Sequence, residues 1–323
     1  MPVVSGIIFV SPPSVYLPPP VDPGRVRYAL WWEAWDGSNW SLSDDSSGIV
    51  LMRDVRGLGN ITIEHHRDEH ESRAGSRWRD FRALNREIYL PIRLFSDGTS
   101  EDWVEHNRRF WKTMRAGKTG WLHILHPNGS HRRIKARYDK GGEEAMLLDP
   151  AFFGWANYGI YMTAEQPYWE AAEPVGDTWS LPEPVYFFGG GATPSNAPPF
   201  GISDEKDVST ATITNPGDVE AWPKWIYRGP ADSASVGVDG EVVEIPIELL
   251  TGESITLDLN PYEQSAIKRT AVGVETDVTD DLGTFDFSPI PPGEAVALDI
   301  TLIGTGGGSI ELQLTPLFEW GVS

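Results

Sequence analysis

"SEDWVEHNRRFWKTMRA", Ser100–Ala116, is the one stretch of this chain with a helical signature. Thr99 or Ser100 caps it, Glu101 and Asp102 favour its positive end, and Gly117 stops it. Trp103, Phe110, Trp111 and Met114 recur near the helical period, so they form one apolar stripe that has to lie on a sheet. The surrounding sequence reads as strands. The fold class that follows is mainly β with one prominent helix.

Working outward, "REIYLPIRLF" (86–95) is an extended run just before the helix, and "GIVLMRDV" (48–55) is another. Earlier still, "RVRYALWWEAW" (25–35) alternates and meets the turn signal "DGSN" before "WSL", which predicts a hairpin. Beyond the helix, "WLHILH" and "HRRIKARY" flank "PNGS" as a second hairpin, whose later strand puts His131, Arg133, Lys135 and Arg137 on one face. Strands are expected to continue through 144–148 and 158–164.

Residues 174–201 change character, being rich in Pro and Gly, and read as a linker. After them come "ATITN", "VVEIPIELL", "SITLDL", "AVALDITLIG" and "SIELQLTPLFEW", separated by turn residues at short intervals, the pattern of an all-β sandwich. The chain of 323 residues therefore divides into 1–173, a linker at 174–201 and 202–323. A proline-rich lead, "SPPSVYLPPPVDP" (11–23), precedes the first hairpin and would wave in solvent unless a partner restrained it.

Charge divides with the domains. Residues 1–173 hold 21 Lys and Arg against 23 Asp and Glu, whereas 174–323 hold 5 against 24. The second part, at −19, repels phosphate backbones, which argues against nucleic-acid binding through it. Copies of the near-neutral first part can pack together, while like charges on the second oppose packing. No apolar run approaches the roughly 18 residues of a membrane span, so no membrane insertion is expected. The start has no basic segment before its apolar run, which points to synthesis in the cytoplasm. With no cysteine, disulfides, thiolate metal sites and cysteine nucleophiles are excluded.

The densest charge lies in "HHRDEHESRAGSRWRDFR" (65–82). His65, His66, His70 and Asp68 lack the helical spacing or "HExxH" pattern of a zinc site. Arg73, Arg77, Arg79 and Arg82 alternate with Trp78 and Phe81 as nucleic-acid binders do, yet Asp68, Glu69, Glu71 and Asp80 nearly cancel the charge. Ion pairing between subunits accounts for both signs, and these arginines, with Arg133, Lys135 and Arg137, are the candidate subunit-interface residues. The carboxylate pairs Asp44–Asp45, Glu143–Glu144 and Asp280–Asp281 are adjacent in turns, so they do not define two groups across a glycosidase cleft. "GTGGGS" (304–309) lacks the Lys-Ser/Thr of a phosphate loop. The expectation is a non-enzymatic protein with no catalytic, cofactor or metal residues.

Three signals in order give the second domain a likeness. "ITNPGDVEAWPKWIYRG" (213–229), "LTGESITLDL" (250–259) and "LGTFDFSPIPPGE" (282–294), then "LQLTPLFEW", resemble the C-terminal β-sandwich of siphophage distal tail proteins. The matching positions are Asn215, Gly217 and Pro223, then Gly252, Glu253 and Asp258, then Phe287, Pro292 and Gly293. The Trp-rich hairpin, the "GLG" turn at 57–59, the arginine-bearing excursion ending in "RE", "YLPIRLF" and the "SEDW" helix are similar to that family's N-terminal domain.

The resemblance implies a tail-tube-like β-sandwich or barrel forming a hexameric ring, followed by a galectin-like β-sandwich pointing outward. It further implies a virion structural protein of the tail tip, with the tail tube on one side, hub or other minor tail proteins on the other, and genomic DNA passing through unread. The alternative is a carbohydrate-binding receptor-recognition module, which would need Trp179 or Trp222 exposed on a platform; a glycan-cleaving enzyme is a more distant rival.

Overall fold

The computed structural model describes residues 27–69, 74–142, 149–180, 185–186, 201–202, 211–304 and 307–322. The proline-rich lead, Arg73, His70, Glu143, Glu144, the strand expected at 144–148 and most of the linker lie outside the described residues.

The first part runs β1 (Ala29–Glu33), β2 (Asn39–Ser41), β3 (Ile49–Leu51), β4 (Ile63–Glu69), β5 (Ser76–Ala83), β6 (Arg86–Phe95), α1 (Ser100–Thr113), β7 (Thr119–Leu125), β8 (His131–Gly141), α2 (Pro150–Phe153), β9 (Trp155–Ala164) and β10 (Trp169–Ala171). Seven strands, in the order β2-β1-β7-β8-β9-β6-β3, form the main path of a nine-stranded antiparallel sheet, which β10 joins by pairing with β8. Alternation decides its faces: Leu30, Trp32, Leu122, Ile124, Ile134, Ala136, Ile88, Ile92, Ile160 and Met162 turn to one side and are buried. Helix α1 covers that side with Trp103, Phe110 and Met114, as its stripe predicts. Thr99 and Asp102 close a reciprocal capping box at its start. It ends at Thr113 rather than Ala116, because Met114 leaves helical geometry and returns its N–H to the Trp111 carbonyl.

The second part runs β11 (Val175–Ser180), β12 (Val185–Tyr186), β13 (Gly201–Ile202), β14 (Thr212–Thr214), β15 (Pro223–Arg228), β16 (Ser233–Val238), β17 (Glu241–Ile245), β18 (Ser254–Asp258), β19 (Ser265–Arg269), β20 (Glu275–Asp277), β21 (Ala295–Ile303), β22 (Ser309–Leu314) and β23 (Leu317–Phe318). One sheet has the order β11-β22-β15-β18-β19-β20 and the other β14-β21-β16-β17. Trp225, Tyr227, Ile255, Leu257, Ile310 and Leu312 of the first meet Val236, Val243, Ile245 and Leu298 of the second in a separate core, so this part is a β-sandwich.

The turn residues singled out in the sequence are structural clamps. Asn215, fully buried, donates from its amide to the Val219 and Ile290 carbonyls and accepts from the Gly217 N–H. Glu253 accepts from the Leu250 N–H and pairs with Lys268 at 3.1 Å. Two stretches depart from the sequence reading. The Pro/Gly-rich segment opens with β11, a full strand paired with β22 from Val175 to Ser180, and its Trp179 packs on Trp225. The final run also splits: β22 stays in the sandwich, but β23 crosses to the first part and pairs with β10, Trp169 opposite Phe318. Pro316 between them cannot extend the ladder of β22.

Candidate assembly interface

The charged stretch is a β-ribbon rather than a loop. Strands β4 and β5 form a two-stranded sheet of their own, with nearly every residue exposed. Cross-strand pairs run Glu64 with Arg82, His65 with Phe81 and His66 with Asp80; the register then shifts so that Arg67 faces Trp78, leaving Arg79 as an extra residue. That bulge brings Trp78 and Phe81, three apart in sequence, to the same face. With Ile63, Ala83 and His65 they make its base end apolar, while Arg67, opposite Trp78, and Glu69 share the face towards the tip; the Trp78 indole N–H donates to His65 Nδ1 at 3.2 Å. Ile63, Phe81 and Trp78 are 41%, 47% and 55% exposed, a bare apolar strip on a segment with no core beneath it.

The opposite face pairs two arginines with the ribbon's own acids. Arg82 pairs with Glu64 at 2.8 Å and Arg79 with Asp68. Arg77 lies across from Asp68 on the same face. The ion pairs expected between subunits are, for Arg79 and Arg82, met within the ribbon. His65 and His66 point to opposite faces, and no three His, Asp or Glu side chains converge as a metal site among the described residues.

A second bare surface is the side of the main sheet turned away from α1. Arg133, Lys135 and Arg137 project there on alternate positions of β8. Arg133 lies over the Trp121 ring at 4.3 Å and Lys135 approaches it at 6.0 Å. Arg137 pairs with Glu165, and Arg133 is 3.8 Å from Glu170. Burial raises the Glu170 pKa, opposed by Arg133 and Lys135. Further along, Arg93 covers Trp155 at 4.6 Å and Tyr89 meets Tyr161 at 4.7 Å. The surface is a mosaic of aromatic rings capped by cations, a composition suited to an interface.

At one end of this surface lies a histidine chain that no sequence motif announces. His123 Nδ1 contacts His131 Nε2 at 2.9 Å, His123 Nε2 contacts Glu33 at 3.0 Å, and Trp31 stacks flat on the His123 ring. Burial lowers the pKa of both histidines; Glu33 opposes the shift at His123, and Arg133 adds to it at His131. The strand pairing of Trp31 with His123 is what joins residues about ninety positions apart, a link no local pattern records.

In the sandwich, the tryptophans considered for a sugar platform are engaged in packing. Trp179 meets Trp225 at 6.4 Å, and Trp222 meets Phe287 at 5.5 Å. Three of its cations are paired with acids: Lys224 with Asp258, Arg228 with Glu311 and Lys268 with Glu253.

Comparison with solved structures places this architecture. The Dit protein of phage SPP1, described as a paradigm of the hub adsorption apparatus of phages infecting Gram-positive hosts, superposes with a TM-score of 0.59 at 13% identity, over 91% of this chain and all of that one. This chain has the distal-tail-protein fold. Chains of the phage P2 baseplate in its activated conformation agree: with Ca, TM-score 0.58 at 12% identity over 93% of this chain and 100% of that one; with Sr, 0.57 at 11% over 92% and 99%. No family model and no curated protein matches the sequence. With more than nine-tenths of the chain covered, the likeness extends over both the helix-covered sheet and the sandwich.

Proposed function

We propose that the protein is a non-enzymatic structural component of a long, non-contractile phage tail tip, a distal tail protein forming a hexameric ring. In this reading residues 1–173 build the ring, joined to the tail tube on one side and to hub or other tip proteins on the other, with DNA passing through unread. The sandwich at 202–323, galectin-like in the family resemblance, stands outside, since −19 per copy over 174–323 resists being gathered at the axis.

The observation that carries the proposal is the ribbon: exposed Ile63, Trp78 and Phe81 on a segment that already pairs Arg79 and Arg82 with its own acids, in a chain of which 91% superposes on a phage hub protein. Monomeric proteins seldom hold such a strip in water. The subunit contact then centres on Trp78 and Phe81, with Arg77, Arg79 and Arg82 keeping the ribbon's back soluble and Arg133, Lys135 and Arg137 lining the second surface. Electron microscopy of the purified full chain tests it. Sixfold rings with peripheral lobes are expected, and particles with no rotational symmetry at any protein concentration would refute it.

A further inference from the structure

After β22 the chain does not end in the sandwich. Residues 317–322 lie along the first part as a strap that is extended at 317–318 and bends at Glu319 and Gly321, and each of four successive carbonyls is taken by a side chain there. The Glu319 carbonyl accepts from Arg86 Nη2 at 2.7 Å, that of Trp320 from Arg132, that of Gly321 from His126 Nε2 at 2.8 Å, and that of Val322 from the Tyr28 hydroxyl at 3.1 Å. The Gly321 N–H returns to the Leu58 carbonyl at 2.9 Å. These donors come from four separate segments, so they form a built groove rather than a chance contact.

Side chains matter less. Phe318 sits under the Arg132 guanidinium at 3.9 Å, and Trp320 covers Gly59. Gly321 is required by space: a β-carbon there would fall 2.5 Å from the Trp169 indole, which is fully buried and cannot yield. Arg86, 2% exposed, organises the floor by also donating to the Pro167, Gly57 and Gly59 carbonyls. The sandwich grips the same strap from the other side, Asp218 accepting from the Glu319 N–H at 3.0 Å and Val219 bridging Leu317.

We infer that this groove is a peptide-binding site that reads main chain, and that residues 317–322 are its displaceable internal ligand, a latch that fixes the sandwich on the first part. Main-chain recognition of an extended segment is sequence-tolerant and reversible, and it holds here at only six residues. The occupied groove sets the angle between the two cores, and release of the strap frees the sandwich to swing while each core stays intact. The inference does not depend on ring formation.

A fluorescein-labelled peptide covering Pro316–Val322, added to full-length protein, tests it. Gly321→Ala ejects the internal strap without touching the groove, so this variant should bind the peptide at least about tenfold more tightly than the wild-type chain, whose groove is filled. Adding Arg132→Ala to Gly321→Ala should remove that gain. A Gly321→Ala protein with native circular dichroism that takes no peptide would overturn the inference. Should that variant fail to fold, hydrogen exchange on the wild-type chain decides. A Gly321 amide exchanging at least about tenfold faster than that of Leu122 supports a latch, and equal rates contradict it.

Discussion

The ribbon and the strap are both short segments that leave their parent sheets, and they solve opposite problems. The ribbon pairs two of its arginines internally, Arg82 on Glu64 and Arg79 on Asp68, but leaves Trp78, Phe81 and Ile63 in water. The strap brings four backbone carbonyls, Glu319 to Val322, and finds a donor for each on its own molecule. Under the proposed assembly, the exposed apolar residues of the ribbon await a host outside the chain, whereas the strap has its host inside it. Arg82 and Arg86, four positions apart, stand on either side of that divide: one is an exposed partner in a surface pair, the other the buried centre of four carbonyls.

The comparison breaks most readily at Arg86. Arg86→Met leaves the Gly57, Gly59, Pro167 and Glu319 carbonyls without their donor, and removal of one member of so buried a network is expected to cost about 3–5 kcal/mol. Chemical denaturation would measure it; a loss comparable to a surface substitution would mean that the network is not holding the strap. Burial lowers the Arg86 pKa to about 10, so the side chain remains charged at neutral pH and this effect should not vary between pH 6 and pH 8.

Next in size is the ribbon, where the effect should fall on assembly instead of folding. Trp78→Ser with Phe81→Ser should leave thermal unfolding of the monomer within about 0.5 kcal/mol, as for other exposed sites. Self-association should weaken by about 2 kcal/mol or more, some thirtyfold, as for interface anchors.

Acid sharpens the contrast from another side. His106, His123, His126 and His131 all have pKa values lowered in the fold, chiefly by burial. The unfolded chain, with histidine pKa near 6.5, therefore takes up protons first. Their contribution is fully present above about pH 6.5 and is lost as the pH falls through the depressed folded values. The unfolding midpoint should drop between pH 7 and pH 5, and a midpoint that rises over that interval would contradict these environments. The smallest effect is reserved for Arg82→Ala, an exposed pair worth less than about 1 kcal/mol in denaturation and less still in high salt.

Much of the architecture is legible in the sequence because it rests on local rules. The stripe of Trp103, Phe110 and Met114, the cap at Thr99 and the alternation of 86–95 are each settled within one element. The ribbon is not, because its bulge at Arg79 breaks the two-residue period and hides that Trp78 and Phe81 share a face. Nor is the strap: "LFEW" reads as more sandwich strand, and only the return of the chain to Trp169 and Arg86 shows where it belongs. Alternation alone places Arg133, Lys135 and Arg137 on one strand face. Their neighbours Trp121, Glu165 and Glu170 come from other strands and had no local signal.

Sedimentation velocity of the wild-type chain beside Trp78→Ser/Phe81→Ser, at matched concentration and salt, tests most directly the claim that the ribbon's apolar face builds the assembly. The account predicts a sixfold mass for the wild type and a monomer for the variant, with the same circular dichroism for both and a higher unfolding temperature for the assembled wild type. Equal masses for the two, or loss of fold in the variant accompanying its loss of mass, would contradict it.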